Sequence, residues 1–431
     1  MTKTPAACYN KAMFRFIHAA DVHLDSPLQG LEAHEGAPLE LLRGATRRAF
    51  KNLVNLAIDE NVDFVVIAGD LYDGDWKDYS TGLFFRGQMV LLQEKGIPVY
   101  LIAGNHDAVS VISKKLTLPE NVHVFSTRSA ETKVVAGHPV AIHGRGFPNQ
   151  AVPENLVIDY PSAVSGKFNL GVLHTSLTGK SGDDNYAPCS EADLREKGYG
   201  YWALGHIHQP EVISKDPWIV FAGNCQGRHV KETGPRGCRL VTVNDSLQVE
   251  SAEWRDLDVV RWEELRVDFT RVEVEEEALG LVGDAMRHAV TTAKGRLVAA
   301  RIVITGTTSL HGSLHRDDQH WRAQFLARAQ DQGSEAIWIE RIKMATTPVY
   351  DVAQLAERDA LTRIVVENLD ETHDQQITLP TEIKEMLEVL PPEVRSEVEA
   401  EWNVDHQRTA VLSDVRAIIL DALATMGGQG A

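Results

Sequence analysis

The stretch that decides the fold is residues 64–73, which read FVVIAGDLYD. It opens with five consecutive apolar residues, and such a run predicts a strand that is buried on both faces of a sheet. Gly69 and Asp70 follow at once, so that a carboxylate lies where the strand ends. Ligands of α/β sheets bind at the carboxyl ends of the strands. The segment therefore predicts a buried strand that delivers an acidic side chain to a binding site.

Four other apolar runs end in polar groups in the same way. They are FRFIHAA before Asp21-Val22-His23, VYLIA before Gly104-Asn105-His106-Asp107, LGVL before His174, and YWAL before Gly205-His206-Ile207-His208. Helical patterns at about residues 38–60 and 79–95 alternate with these strands, which is typical of an α/β domain. We therefore expect polar side chains from five strands to meet at one edge.

The strand ends supply a set of imidazole, carboxylate and amide groups that suits a metal. The seven candidate ligands are Asp21, His23, Asp70, Asn105, His174, His206 and His208. Imidazole favours divalent transition metals such as Mn²⁺, Fe²⁺ or Zn²⁺ over Ca²⁺ and Mg²⁺. Seven ligands exceed the needs of one ion. If Asp70 bridges through both oxygens, two ions about 3.5–4 Å apart could share the site and act on a phosphoester.

The ordered motifs DxH, GD, GNH[DE], H and GHxH resemble those of the calcineurin-like metallophosphoesterase superfamily over residues 14–243. Within it, AADVHLDSPLQGL, IAGDLYDGDWKD, IAGNHD and LGHIHQPEV are most similar to the nuclease subunit of the SbcCD DNA repair complex, especially its YhaO-like branch. The resemblance implies an α/β fold of two facing mixed β-sheets flanked by helices, followed by a small α/β cap and a helical C-terminal tail. It also implies a metal-dependent DNA nuclease.

The resemblance further implies a role for each site residue. It assigns Asp21, His23, Asp70 and His208 to one metal ion, and Asp70, Asn105, His174 and His206 to the other, with Mn²⁺ favoured over Fe²⁺ and Zn²⁺. Water activated by the two ions would attack the phosphate, while His106 assists the leaving oxygen. Asp107 would orient His106 through a hydrogen bond. Asp73 stands where some relatives have a catalytic His, and we interpret it as a supporting group.

A loop after the GHxH motif carries three basic residues, Arg228, Lys231 and Arg236. These bases could hold DNA phosphates near the metals, which would make binding depend on salt. The alternative is a solvated hairpin whose charges are incidental.

The formal net charge of the 431-residue chain is −18, which by itself argues against a nucleic-acid-binding protein. Residues 350–431, however, hold 17 acidic and 6 basic side chains, so the first domain can still present a basic surface. We predict three parts: a dinuclear nuclease domain at 1–256, a β-α-β-α-β cap that positions DNA at 257–348, and a helical, acidic partner-binding region at 349–431.

The last predicted helix carries an apolar stripe of Leu412, Val415, Ile419, Ala422 and Met426. Such a stripe packs either within its own domain or against a partner. The resemblance favours a partner, an SMC-like, YhaN-like coiled-coil ATPase, and a homodimer is the other arrangement considered. No run of about 18 apolar residues predicts a membrane span, and we expect a cytoplasmic protein.

Several other residues have simpler interpretations. The four cysteines form no CxxC pair, which favours separate thiols over a disulfide framework or a zinc site. His311, His315 and His320 have irregular spacing, and we predict that they lie in an exposed loop. His18 and His143 lie within predicted strands and are expected to be hydrogen-bonded core residues.

Two other functions remain open at this stage. The first is a phosphatase or cyclic-nucleotide phosphodiesterase, because the metal ligands explain phosphoester hydrolysis but do not define the substrate. The second is a metal-binding scaffold without activity, which would tether an ATPase to DNA.

Overall fold

A computed structural model describes residues 12–26, 37–73, 79–109, 116–177, 186–333, 335–357, 360–374 and 405–426. The predicted short helices around Pro380 and Pro391 lie outside these residues, as does part of the AADVHLDSPLQGL motif. Contacts divide the chain into two units, one of residues 1–263 with 295–299 and one of residues 264–294 with 300–431. The division into three parts at residues 256 and 348 stays a prediction.

The first unit contains two six-stranded sheets. The first sheet has the spatial order β12 (Val249–Asp256), β11 (Gly237–Asn244), β1 (Ala12–Ala19), β2 (Phe64–Ala68), β3 (Val99–Ile102) and β4 (Val122–Val124). Strands β1 to β4 are parallel, whereas β11 is antiparallel to both of its neighbours. The parallel register brings the carboxyl ends of β1, β2 and β3 to one edge.

The second sheet also has six strands with a parallel centre. Its order is β5 (Glu131–Val134), β6 (Val140–Gly144), β7 (Phe168–His174), β8 (Tyr201–Gly205), β10 (Trp218–Phe221) and β9 (Glu211–Lys215). The four central strands are parallel and the two edge strands are antiparallel. His174 pairs with Gly205 in the ladder, so the polar groups that follow β7 and β8 also lie side by side.

A hydrophobic layer joins the two sheets, since one cluster of buried side chains draws residues from both. Phe16 of the first sheet stacks on Phe64 with ring centroids 4.9 Å apart, and it meets Tyr201 of the second sheet edge-on at 5.4 Å. The predicted fold of two facing mixed sheets is therefore confirmed.

Helices cover the outer faces of both sheets. Helices α2 (Ala45–Asp59) and α3 (Ser80–Glu94) pack on the first sheet, and α4 (Glu191–Glu196) packs on the second. The short helix α1 (Leu39–Arg43) contacts α2. The single helix predicted at about residues 38–60 is wrong in one respect, because Gly44 ends α1 and separates it from α2. Phe50 and Leu53 of α2 are fully buried and hold that helix on the sheet.

The second unit contains most of a three-stranded sheet and six described helices. The strands are β13 (Val260–Asp268), β14 (Leu297–Thr307) and β15 (Ile337–Thr347), and the helices are α5 (Glu275–Ala293), α6 (His311–Arg316), α7 (Asp318–Gln330), α8 (Val352–Glu357), α9 (Ala360–Asp374) and α10 (Asp405–Met426). Three predicted strands of the cap are thereby confirmed. Among the described helices, none is long and apolar enough to cross a bilayer.

The exposed loop predicted for three histidines is wrong. His311 and His315 lie on α6, both are 8% exposed, and their Nδ1 atoms contact Thr346 Oγ1 at 2.9 Å and Asp414 Oδ1 at 2.6 Å. Their spacing of four residues places both rings on one face of the helix. The neighbouring Gly312 and Ser313 made a loop the expected structure, although they lie within the helix. His320 lies on α7, where it pairs with Glu275.

Helix α10 buries a face that is offset from the predicted stripe. Among its described side chains, Ala417 and Leu420 are buried, and Leu420 packs with Leu355 of α8 and Val366 of α9. The side chain of Met426 in the predicted stripe lies outside the described ones. Val415 of the stripe is 41% exposed. The proposed use of the stripe by a partner stays a prediction.

Candidate metal centre

The loops that follow β1, β2 and β8 turn sharply as soon as each strand ends. Asp21, His23, Asp70 and His206 all have positive φ angles, of 47°, 47°, 48° and 94°. A residue with a side chain adopts this conformation at a cost of about 1–3 kcal/mol, and such strain is concentrated at functional sites. The Asp21 N–H donates to Gly69 O and the His23 N–H to Asp70 O, so the first two loops run side by side.

Glycines of the motifs allow these loops to approach one another. A Cβ on Gly104 would lie 2.2 Å from Asp70 Oδ1, and a Cβ on Gly205 would lie 2.0 Å from Ala68 O. Real Cβ atoms do not approach other atoms this closely, so any side chain would push the loops apart. The glycines of GNHD and GHxH are therefore required by the geometry of the site.

The first group of donors consists of Asp21, His23 and His208, whose ligand atoms lie within 4.8 Å of one another. The Nε2 atoms of the two imidazoles are 3.2 Å apart. That separation suits two nitrogens that bind one ion at about 2.0–2.1 Å each. His23 Nδ1 is buried and has no hydrogen-bond partner among the described residues.

The second group consists of Asp21, Asp70 and His174, and Asn105 lies beside it. His174 Nδ1 faces Ala68 O at 3.0 Å, while Nε2 faces Asn105 Oδ1 at 2.8 Å and Asp70 Oδ2 at 3.4 Å. Because Nδ1 is placed to donate to the carbonyl, Nε2 is the nitrogen that faces the two oxygens, and it would bind a cation once its proton has left.

Asp70 lies between the two groups, because its Oδ2 is 3.9 Å from His23 Nε2 and 3.4 Å from His174 Nε2. The structure thus brings together six of the predicted ligands. His206 belongs to none of the three-donor groups found among the described residues, but its ring lies 5.2 Å from that of His174 and its N–H donates to Asp21. These nitrogen and oxygen donors, most of which are buried, fit a pair of divalent transition metals.

Burial and the mutual contacts of these groups shift their pKa values in opposite directions. Burial would raise the pKa of Asp70, yet the His174 and His23 imidazoles hold it well below its ordinary value. Burial lowers the pKa of His206 to about 3 and that of His23 well below its ordinary range. In His174, the Asp70 and Asp21 carboxylates outweigh burial and raise the pKa to about 9. His23 and His206 are therefore neutral at pH 7 and could bind a cation without losing a proton, whereas a metal would have to displace a proton from His174.

The structure corrects the predicted partner of His106. His106 Nδ1 contacts Asp73 Oδ1 at 2.6 Å, and this hydrogen bond raises the pKa of His106. Asp107 does not orient His106: its carboxylate accepts the N–H groups of Leu71 and Tyr72 at 3.1 and 2.8 Å, and that of Gly104 at 2.9 Å. Asp107 therefore ties the loop after β2 to the loop after β3.

The three predicted DNA-contacting bases differ in their surroundings. Arg236 is 2% exposed and donates to the carbonyl oxygens of His208 and Thr233, so the prediction that it contacts DNA is wrong. Lys231 is exposed. The Arg228 side chain is 17% exposed and lies between the Asp73 and Glu232 carboxylates.

Sequence reasoning missed Glu232. Its Oε1 lies 2.6 Å from His208 Nδ1, and its Oε2 accepts a hydrogen bond from the backbone N–H of Arg228 at 2.7 Å. His208 and Arg228 hold the pKa of this carboxyl well below its usual range although burial opposes them. A carboxylate on the distal imidazole nitrogen fixes the tautomer of a metal-binding His. The signal was present, since Glu232 stands four residues after Arg228 in the loop already noted for its charges.

The sequence is similar to two protein families and to individual relatives of known name. Residues 14–210 match the calcineurin-like phosphoesterase family, and residues 262–347 match the middle domain of the metallophosphoesterase YhaO. The uncharacterized metallophosphoesterase YhaO of Bacillus subtilis is 37% identical over 298 residues, which cover 68% of this chain and 72% of that protein.

A second relative is more distant. The DNA double-strand break repair protein Mre11 of Methanopyrus kandleri is 27% identical over 220 residues, which cover 47% of this chain and 46% of that protein. Among solved structures, a dimetal phosphatase from Danio rerio aligns with 55% of this chain and 94% of its own, at 12% identity and a TM-score of 0.34. That structural similarity is too low to carry a functional argument.

Proposed function

Because the chain belongs to the calcineurin-like metallophosphoesterase family and is a homologue of YhaO, we propose that it is a metal-dependent DNA nuclease. The observation that carries the proposal is the juxtaposition of the buried ligand groups with the His106 imidazole. His106 lies next to Asn105 in the chain, but its side chain is 37% exposed and is held by Asp73. A cation centre and a proton donor that reaches solvent are the two elements needed to hydrolyse a phosphoester.

The metal ligands, His106 and Asp73 have different roles in the proposed hydrolysis. Bound divalent metals would neutralise the phosphate charge and lower the pKa of a water molecule. His106 donates a hydrogen bond to a phosphate oxygen and passes a proton to the leaving oxygen. Asp73 keeps the imidazole protonated, and the His106 N–H donates to Asp70 Oδ1 at 2.9 Å, which fixes the loop beside the ligands.

Three further features are part of the proposal. The similarity to Mre11, a DNA double-strand break repair protein, supports DNA as the substrate. Membership of an SbcCD-like repair complex is also part of the proposal. An SMC-like, YhaN-like ATPase is proposed to bind the C-terminal helices, of which α10 leaves Val415 exposed. Mn²⁺ is the proposed metal, and the proposed location is the cytoplasm.

The test is to incubate the purified chain and Mn²⁺ with end-labelled duplex and single-stranded DNA. Bis-p-nitrophenyl phosphate serves as a small phosphodiester and p-nitrophenyl phosphate as a monoester. We expect cleavage of DNA and of the diester, both lost in His106→Asn, which keeps a polar side chain but cannot act as an acid at neutral pH. Hydrolysis of the monoester alone would favour a phosphatase, and Mn²⁺ binding without any hydrolysis would favour the scaffold.

A further inference from the structure

A continuous chain of polar contacts joins His106 to His208 through one guanidinium. His106 Nδ1 lies 2.6 Å from Asp73 Oδ1, and Asp73 Oδ2 lies 3.3 Å from Arg228 Nη1. Arg228 Nη2 lies 3.3 Å from Glu232 Oε1, which in turn lies 2.6 Å from His208 Nδ1. The Arg228 guanidinium therefore contacts both the carboxylate that pairs with His106, the proposed proton donor, and the carboxylate that pairs with His208, a candidate metal ligand.

We propose that Arg228 is a positioning residue that fixes His106 and His208 through Asp73 and Glu232, and that it does not bind the substrate phosphate. The inference rests on the proposed phosphoester hydrolysis, but not on DNA as the substrate. It assigns Arg228 a different role from the one that its sequence position suggests.

The contacts of the guanidinium argue against a phosphate-binding role. Nη1 donates both to Asp73 and to Ser26 Oγ at 3.3 Å, and Nη2 donates to Glu232. The side chain is 17% exposed. To bind a phosphate, Arg228 would have to leave two carboxylates, which would keep their contacts with His106 and His208 but lose the guanidinium beside an incoming anion. Such a rearrangement is unfavourable, because like charges close together in a largely buried site repel one another.

The geometry also explains why the residue is arginine. Two carboxylates on opposite sides require donors that point in fixed, different directions, which the planar guanidinium supplies. A lysine ammonium is a single point charge and can hold only one of them closely. Lys231, which is exposed in the same loop, is the basic residue that remains available for a DNA phosphate.

The experiment measures Mn²⁺ affinity by titration calorimetry, together with kcat and KM for bis-p-nitrophenyl phosphate, in Arg228→Gln, Arg228→Lys and Glu232→Gln. Arg86→Gln is the matched control, because it removes an exposed cation of α3 whose guanidinium donates to a backbone carbonyl, Thr117 O, and not to a carboxylate of the site. Thermal melting shows that each variant is folded.

We expect Arg228→Gln to weaken Mn²⁺ binding and to lower kcat, each by about 10- to 100-fold, with KM nearly unchanged. Glu232→Gln should weaken Mn²⁺ binding to the same degree, the double variant should lose little more than either single one, and Arg228→Lys should not restore the affinity. An increase in KM with unchanged Mn²⁺ affinity would show a phosphate-binding role and overturn the proposal. Because Mn²⁺ affinity needs no substrate, the result stands even if DNA is not cleaved, and Glu232→Gln decides the matter if Arg228→Gln does not fold.

Discussion

Replacement of Asp73 by Asn is the sharpest test of how His106 is activated. The change keeps the size of the side chain and its contact with the imidazole, but removes the negative charge 2.6 Å from Nδ1. A hydrogen bond to a charged partner contributes about 1.5–3 kcal/mol. Because His106 is 37% exposed, solvent screening reduces this to roughly 1–1.5 kcal/mol, which corresponds to about a 10-fold loss of rate at a pH where the imidazole of the variant has lost its proton.

The sign of the pH effect follows from the same contact. Asp73 raises the pKa of His106, so the imidazole of the Asp73→Asn variant would lose its proton at a lower pH than in the unchanged protein. The variant should therefore lose its activity at alkaline pH first, while the rate at lower pH approaches that of the unchanged protein.

The assay is hydrolysis of bis-p-nitrophenyl phosphate with saturating Mn²⁺ between about pH 6 and about pH 9. Asp107→Asn is the informative comparison, since Asp107 contacts backbone N–H groups and not His106. We expect Asp73→Asn to move the alkaline limb of kcat/KM to lower pH, and Asp107→Asn to reduce thermal stability without moving it. If the limb moves only in Asp107→Asn, our assignment of the partner of His106 is wrong.

Three further predictions concern the metals and the C-terminal helix. His106→Asn should keep two bound Mn²⁺ per chain by elemental analysis but lose about 10²- to 10⁴-fold in kcat, and loss of metal would instead make His106 a ligand. Mn²⁺ affinity should increase as the pH rises towards about 9, because the ion displaces the proton of His174, and calorimetry in buffers of different ionisation enthalpy should detect its release. Val415→Asp should abolish co-purification with an SMC-like ATPase without unfolding the chain, whereas Leu420→Asp should destabilise α10; a fully bound Val415→Asp variant would contradict the proposed partner surface.

The strand ends could be predicted from the sequence because the physics that places them is local. A run such as FVVIA is apolar throughout, which favours a strand that is buried on both faces of a sheet. Parallel pairing then aligns the carboxyl ends, as in the pairing of Ala68 with Ile102 and of His174 with Gly205. The sequence needs to encode only the strand and the residue after it for a ligand to reach the common edge.

The strands β11 and β12 illustrate the opposite case. Residues 237–256 mix apolar and charged side chains. Strand β11 pairs antiparallel with β1, more than 220 residues earlier in the chain, and β12 pairs with β11. No local pattern identifies that partner. The same holds for Glu232, whose contact with His208 spans 24 residues and joins two loops.

The exchange of roles between Asp73 and Asp107 shows where sequence reasoning ends at this site. Asp73 stands three positions after Asp70 of the GD motif, and Asp107 stands three positions after Gly104 of the GNHD motif. Spacing alone therefore makes either carboxylate a candidate partner of His106. The choice is made by backbone direction: the positive φ of Asp70 turns the loop so that Leu71 and Tyr72 present their N–H groups to Asp107. Asp107 is thereby engaged by the backbone, and Asp73, the residue after Tyr72, is left to pair with the imidazole. The ligands of such a centre are encoded by strand ends, but the groups that tune them are encoded by loop conformation.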